Sequence, residues 1–152
     1  MRKIIISFFI VAFSFTASSV IAADVLLKFS IHEALSDSKV SATLNDRVAL
    51  YWGEQQSSTI KNNYGSFKVS KRTNALGKGK EEACRWALAS AIKTLQERAT
   101  REGGNAVINI TSNIKNMEYS SKEDYECLAG SFVVNVALKG DVVNIVNSAS
   151  GI

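Results

Sequence analysis

No proline occurs anywhere in the chain. A stiff, extended Pro-rich linker is therefore excluded, and no low-complexity tract or internal repeat stands in for one. Histidine occurs once, at His32, so a Cys–His nucleophile pair would rest on one residue remote in sequence from either cysteine. Cysteine occurs only twice and never as Cys-x-x-Cys, which removes the usual spacing of a thiol redox site. A large charge of one sign is also missing. Eighteen Lys and Arg face fourteen Asp and Glu, and nothing in that balance demands a nucleic acid or a membrane surface as partner.

What is present begins with "MRKIIISFFIVAFSFTASSVIAA". Arg2 and Lys3 form a basic start, Ile4 to Phe15 an apolar run, and "VIAA" a small-residue cleavage region ending at Ala22 or Ala23. This is the pattern of an export signal. The apolar run is interrupted by Ser7 and Ser14 and is short for a bilayer about 30 Å thick. No cysteine lies at the cleavage region for lipid attachment. Residues 1–23 are thus read as a cleaved signal and 24–152 as one periplasmic or secreted domain with no transmembrane anchor. Removing Arg2 and Lys3 takes the eighteen cations to sixteen against fourteen anions, a net +2.

Two cysteines in an exported chain are expected to pair. A Cys84–Cys127 bridge, closing 43 residues of chain, would stabilise the fold by about 4 kcal/mol on loop-entropy grounds. The competing reading makes the same two residues free thiols or metal ligands.

Along the chain, "SIHEALSDSKVSATL" suggests one or two short helices interrupted near Ser36 and Asp37. "RVALYWG" (47–53) reads as a strand and "EQQSSTIKNNYG" as a polar loop. "SFKVSKRT" alternates, with Phe67 and Val69 on one face and Lys68, Ser70 and Arg72 on the other. Cys84, Leu88, Ala91, Leu95 and Ala99 recur at helical spacing over Lys80–Glu102, between Glu81–Glu82 at the start and Gly103–Gly104 at the end. "NAVINITSNI" and "YECLAGSFVVNVALKG" follow as strands, the second bent at Gly130, with "KNMEYSSKED" as the tip of a hairpin between them. "DVVNIVNSASGI" begins as a further strand. The expected fold is α+β: a mostly antiparallel sheet of about four strands with one long helix on a face, in the order β-β-α-β-β after a short helical segment.

The Gly77-Lys78-Gly79-Lys80 stretch is no phosphate-binding loop. Glu81 stands where the magnesium-binding hydroxyl belongs, and Arg72 and Asn74 stand where the upstream glycine belongs. Glu118, Asp124 and Glu126 match no calcium-loop spacing, and no two carboxylates are singled out as an acid–base pair. The feature left is a basic stretch, Lys68, Lys71, Arg72, Lys78 and Lys80. It is either a solvated, lysine-protected edge or an anion site, with Trp52 and Trp86 supplying aromatic contacts.

The run "EEACRWALASAIKTLQERATREGGNAVINI", followed by "YECLAGSFVVNVALKG", resembles exported domains related to the stress-sensing lipoprotein RcsF. It is similar also to YbjQ-type domains, described as heavy-metal-binding. The resemblance covers roughly residues 65–140 and implies a small α/β domain with a sheet backed by the helix and, for the RcsF-like branch, a helix–strand disulfide that falls here on Cys84 and Cys127. The lipidated cysteine, Pro-rich linker and second disulfide of the RcsF type are missing, so what carries over is the fold and the staple. YbjQ-type domains assemble into rings, which leaves homo-oligomerisation open. The sequence therefore points to a non-enzymatic exported binding domain without cofactor or bound metal, taking a protein or an anionic lipid or glycan partner. Behind it stand a metal- or thiol-dependent protein using Cys84 and Cys127, and a small hydrolase without a recognisable motif.

Overall fold

A computed structural model of the chain describes residues 23–54 and 59–146. The signal segment proposed for residues 1–23 lies outside these except for Ala23. The chain forms β1 (Val25–Ser30), α1 (Ile31–Ser36), α2 (Ser38–Ser41), β2 (Ala49–Trp52), β3 (Thr59–Asn74), α3 (Lys80–Glu102), β4 (Ala106–Ile114), β5 (Met117–Tyr119), β6 (Asp124–Ala129) and β7 (Val133–Val146).

The α+β expectation of four antiparallel strands is overturned. Seven strands form one curled mixed sheet, in the order β1-β6-β7-β4-β2, with β3 on β7 and β5 on β4. The β2–β4 pair is parallel. Three features of the sequence account for the difference. Residues 25–30 alternate, with Leu27 and Phe29 packed against the core, and they pair along their whole length with β6. The polar "KNMEYSSKED" contributes β5, because Lys115 and Asn116 take positive φ values of 52° and 62°. That conformation turns β4 directly back on itself. The supposed single strand of residues 125–140 is a hairpin, with Gly130 N–H donating to Val133 O at 3.0 Å. Part of the supposed polar loop, residues 59–65, extends β3 along β7.

β7 organises the sheet. One edge carries β3 from end to end. The other edge is shared: β6 pairs with Val134 and Asn135, and β4 with residues from Leu138 to Val143. The sheet parts between them, and Ser112 Oγ of β4 closes part of the gap by accepting the Glu126 N–H of β6 at 2.8 Å.

The 23-residue α3 lies across one face. Its stripe of Cys84, Ala87, Leu88, Ala91, Ile92, Leu95 and Ala99 is buried against Val134, Val136, Leu138 and Val142 of β7, Val107 and Ile110 of β4, and Tyr125 of β6. Gly103 ends it at φ 82°, and Gly104 N–H reaches back to Ala99 O at 2.8 Å. Glycine meets such a left-handed stop without steric cost. A smaller cluster of Ala106, Ile108, Val143 and Ile145 is buried on the opposite face. β4 and β7 are therefore apolar on both sides where they meet.

Candidate functional site

Cys84 of α3 and Cys127 of β6 form a disulfide, with Cα atoms 5.9 Å apart. Both residues are fully buried. No cysteine is left free among the described residues, so the reading that used these two as thiols or metal ligands loses its ligands.

The basic stretch is divided by the pleat of β3. Lys68, Ser70 and Arg72 pair with Lys139, Ala137 and Asn135 of β7 on the face away from α3. Lys71 pairs with the core residue Val136 and so shares the other face with Phe67 and Val69. The five cations therefore do not form one patch. Lys78 and Lys80 are exposed in and just after the β3–α3 turn. Trp52 is only 4 % exposed and belongs to the core, which corrects its expected place at a binding rim. A strand end followed by Gly53 looks open in the sequence, but β2 docks beside β4 and points this ring inward. Trp86 is half-buried and lines a polar recess with Asp37, Ser38, Lys39, Glu82 and Arg85.

In that recess Arg85 binds Asp37 at 2.8 Å and Glu81 at 2.9 Å. The Arg85 guanidinium, followed by the Lys39 N–H, holds the Asp37 carboxyl below its ordinary value. Arg85 is raised in turn, first by Asp37. The group is a strut between α3 and the α1–α2 junction.

Two turns meet at the far end of the sheet. Ala75 N–H donates to Phe132 O at 2.8 Å, which sets the β3–α3 turn beside the β6–β7 hairpin tip. Leu76 and Phe132, at 60 % and 65 % exposure, project from these turns, with Val133 also exposed. Arg72, Leu128, Phe132, Val133 and Asn135 line a shallow hollow of about 670 Å³ there, with Asp24 as its carboxylate. Apolar tips flanked by Arg72, Lys78 and Lys80 form a surface that can meet an anionic interface.

A second hollow, of about 300 Å³, adjoins the first through Asn135 and is lined by Lys68, Ser70, Asn113, Lys115, Asn116 and Asn135. Nothing in the local sequence singles out Asn113. The available signal is a polar residue between the buried Ser112 and Ile114 near the end of β4.

The carboxylates first weighed as acid–base or metal groups are spread out. Glu118 binds Lys139 at 2.5 Å, and Glu126 lies 4.0 Å from Lys28. Among the described residues no three His, Cys, Asp or Glu side chains converge, and no helix is long and apolar enough to cross a membrane. No protein-family model, curated protein or solved structure matches the chain.

Proposed function

We propose that the protein is a non-enzymatic, exported binding domain that docks on an anionic lipid surface through the paired turns at Leu76 and Phe132. The observation that carries this reading is the exposure of those two side chains, held side by side by the Ala75–Phe132 hydrogen bond and flanked by Arg72, Lys78 and Lys80. Apolar tips gain by entering the headgroup boundary, and each nearby Lys or Arg adds about 1 kcal/mol at an anionic leaflet. The buried disulfide supports the exported part of the reading, since such bonds persist in oxidising compartments.

Co-sedimentation with vesicles tests the proposal. Vesicles containing phosphatidylglycerol should retain the protein, and phosphatidylcholine vesicles should not. Retention should fall with added salt. Leu76→Ser with Phe132→Ser, and separately Lys78→Glu with Lys80→Glu, should each abolish retention while the exposed positions leave the fold intact. Binding that ignores lipid charge, or that survives both double substitutions, overturns the reading.

A further inference from the structure

The hollow on the outer face is built from three elements. β3 supplies Lys68 and Ser70, β7 supplies Asn135 and Ala137, and the end of β4 with its turn supplies Asn113, Lys115 and Asn116. The register explains the convergence. Ser70 faces Ala137 and Lys68 faces Lys139, while the β4–β5 turn brings Lys115 and Asn116 over the same face. Lys68 Nζ donates to Asn116 Oδ1 at 3.3 Å, which ties strand to turn. Ser70 Oγ donates to Asn135 Oδ1 at 2.8 Å, so the Asn135 amide presents its N–H donors elsewhere.

The chemistry of this lining is one-sided. It holds two ammonium groups and several amides, and no carboxylate. Glu118, the register partner of Asn113, is already engaged by Lys139 and does not neutralise the two lysines. Asn113 adds the second observation. It is 5 % exposed, and its Oδ1 is shielded from solvent with no donor from any described residue. A buried acceptor left unsatisfied costs about 1–3 kcal/mol, and a donor inserted from the hollow would remove that cost.

We infer that this hollow binds a small anionic polyol, with the anion between Lys68 and Lys115 and a neighbouring hydroxyl donating to Asn113 Oδ1. Its volume sits at the small end of ligand sites, which suits a phosphoglycerol-sized group. The same group occurs free and as a lipid headgroup. The inference does not rest on vesicle docking, which uses Leu76 and Phe132; either can fail alone.

The test is a titration of the disulfide-bonded protein followed by backbone amide NMR shifts, with glycerol phosphate, inorganic phosphate, glycerol and dihexanoyl phosphatidylglycerol as separate probes. Glycerol phosphate should give saturable shifts at Asn113, Lys115 and Asn135, with inorganic phosphate about tenfold weaker for want of the hydroxyl. Lys68→Ala and Lys115→Gly should each weaken binding about tenfold, as loss of a charged hydrogen bond does. Both positions are exposed, and glycine suits the positive φ at Lys115. Asn113→Asp should abolish binding by placing a carboxylate beside the anion. Should that buried substitution disturb the fold, the two lysine variants carry the test. A short-chain lipid that binds more tightly and also shifts Leu128 and Val133 identifies a headgroup as the source. Equal binding without those shifts identifies the free polyol phosphate. No saturable shift, phosphate binding as tight as glycerol phosphate, or shifts unchanged in both lysine variants overturns the inference.

Discussion

Cys84 and Cys127 join the second turn of α3 to the middle of β6, and neither residue is exposed to solvent. The bond therefore holds the front of the helix against the part of the sheet that has parted from β4. Replacing both residues by alanine should lower unfolding stability by about 2–4 kcal/mol, the range for a native bridge closing a loop of this length. Chemical denaturation of the oxidised protein and the double variant reads this directly. Because both sulfurs are buried, reductant should act quickly only once denaturant opens the fold.

Asp37 should act as an acid-sensitive strut. Its carboxyl is held below 3.8, first by the hydrogen bond from Arg85 and then by the Lys39 N–H. A depressed carboxyl contributes stability above its unfolded pKa and loses it as pH falls through the folded value. Asp37→Asn keeps an acceptor for the Lys39 cap but removes the charge. Its Tm should be lower than that of the parent at neutral pH, with the gap closing as pH falls below 3.8. A gap that stays constant through that range would rule out the ion pair as its cause.

Gln96 is a buried clamp. From α3 its Oε1 accepts the Asn45 N–H at 2.9 Å, and its Nε2 donates to Asn45 O at 2.8 Å and Val48 O at 3.1 Å. Gln96→Leu fits an apolar interior but leaves those backbone groups without partners. The expected loss is about 1–3 kcal/mol, and amide hydrogen exchange should show faster opening of residues 42–48 ahead of the rest.

Gly140 lies at the register shift between Ile108 and Thr111 of β4, against the core side chains of that strand. A Cβ there would lie 2.6 Å from Val107 Cγ1 and 3.4 Å from Ile110 Cγ1. Gly140→Ala should cost about 1–3 kcal/mol by overpacking. Adding Val107→Ala should recover part of that loss, since it removes the clashing methyl. A double-mutant cycle gives the coupling, and strictly additive losses would rule out the contact as the cause.

The legible parts of the fold are those whose signals are local. The bounds of α3 follow from the Cys84–Ala99 stripe, the paired glutamates and the paired glycines. The second half of β3 follows from its alternation. β1 was not legible because six residues of mixed polarity become a strand only when β6 lies beside them. The β6–β7 hairpin was hidden because "YECLAGSFVVNVALKG" reads as one apolar run, and Gly130 alone does not tell a bend from a reversal. The candidate site suffers from the same limit. Alternation separates Lys68 and Arg72 from Lys71, yet Lys115, Asn113 and Asn135 join Lys68 only through pairings with β7 and the β4–β5 turn.

The strand order also dictates when the protein can fold. β1 waits for β6 and β3 for β7, and β4, which already has β2 and β5, is joined to them only through β7, so most of the sheet depends on residues 124–146. Contacts this distant in sequence are slow to form. During synthesis the first hundred residues emerge with almost no strand partner, and Cys84 has nothing to bond until Cys127 appears. The described sheet therefore cannot be completed before residues 124–146 have emerged.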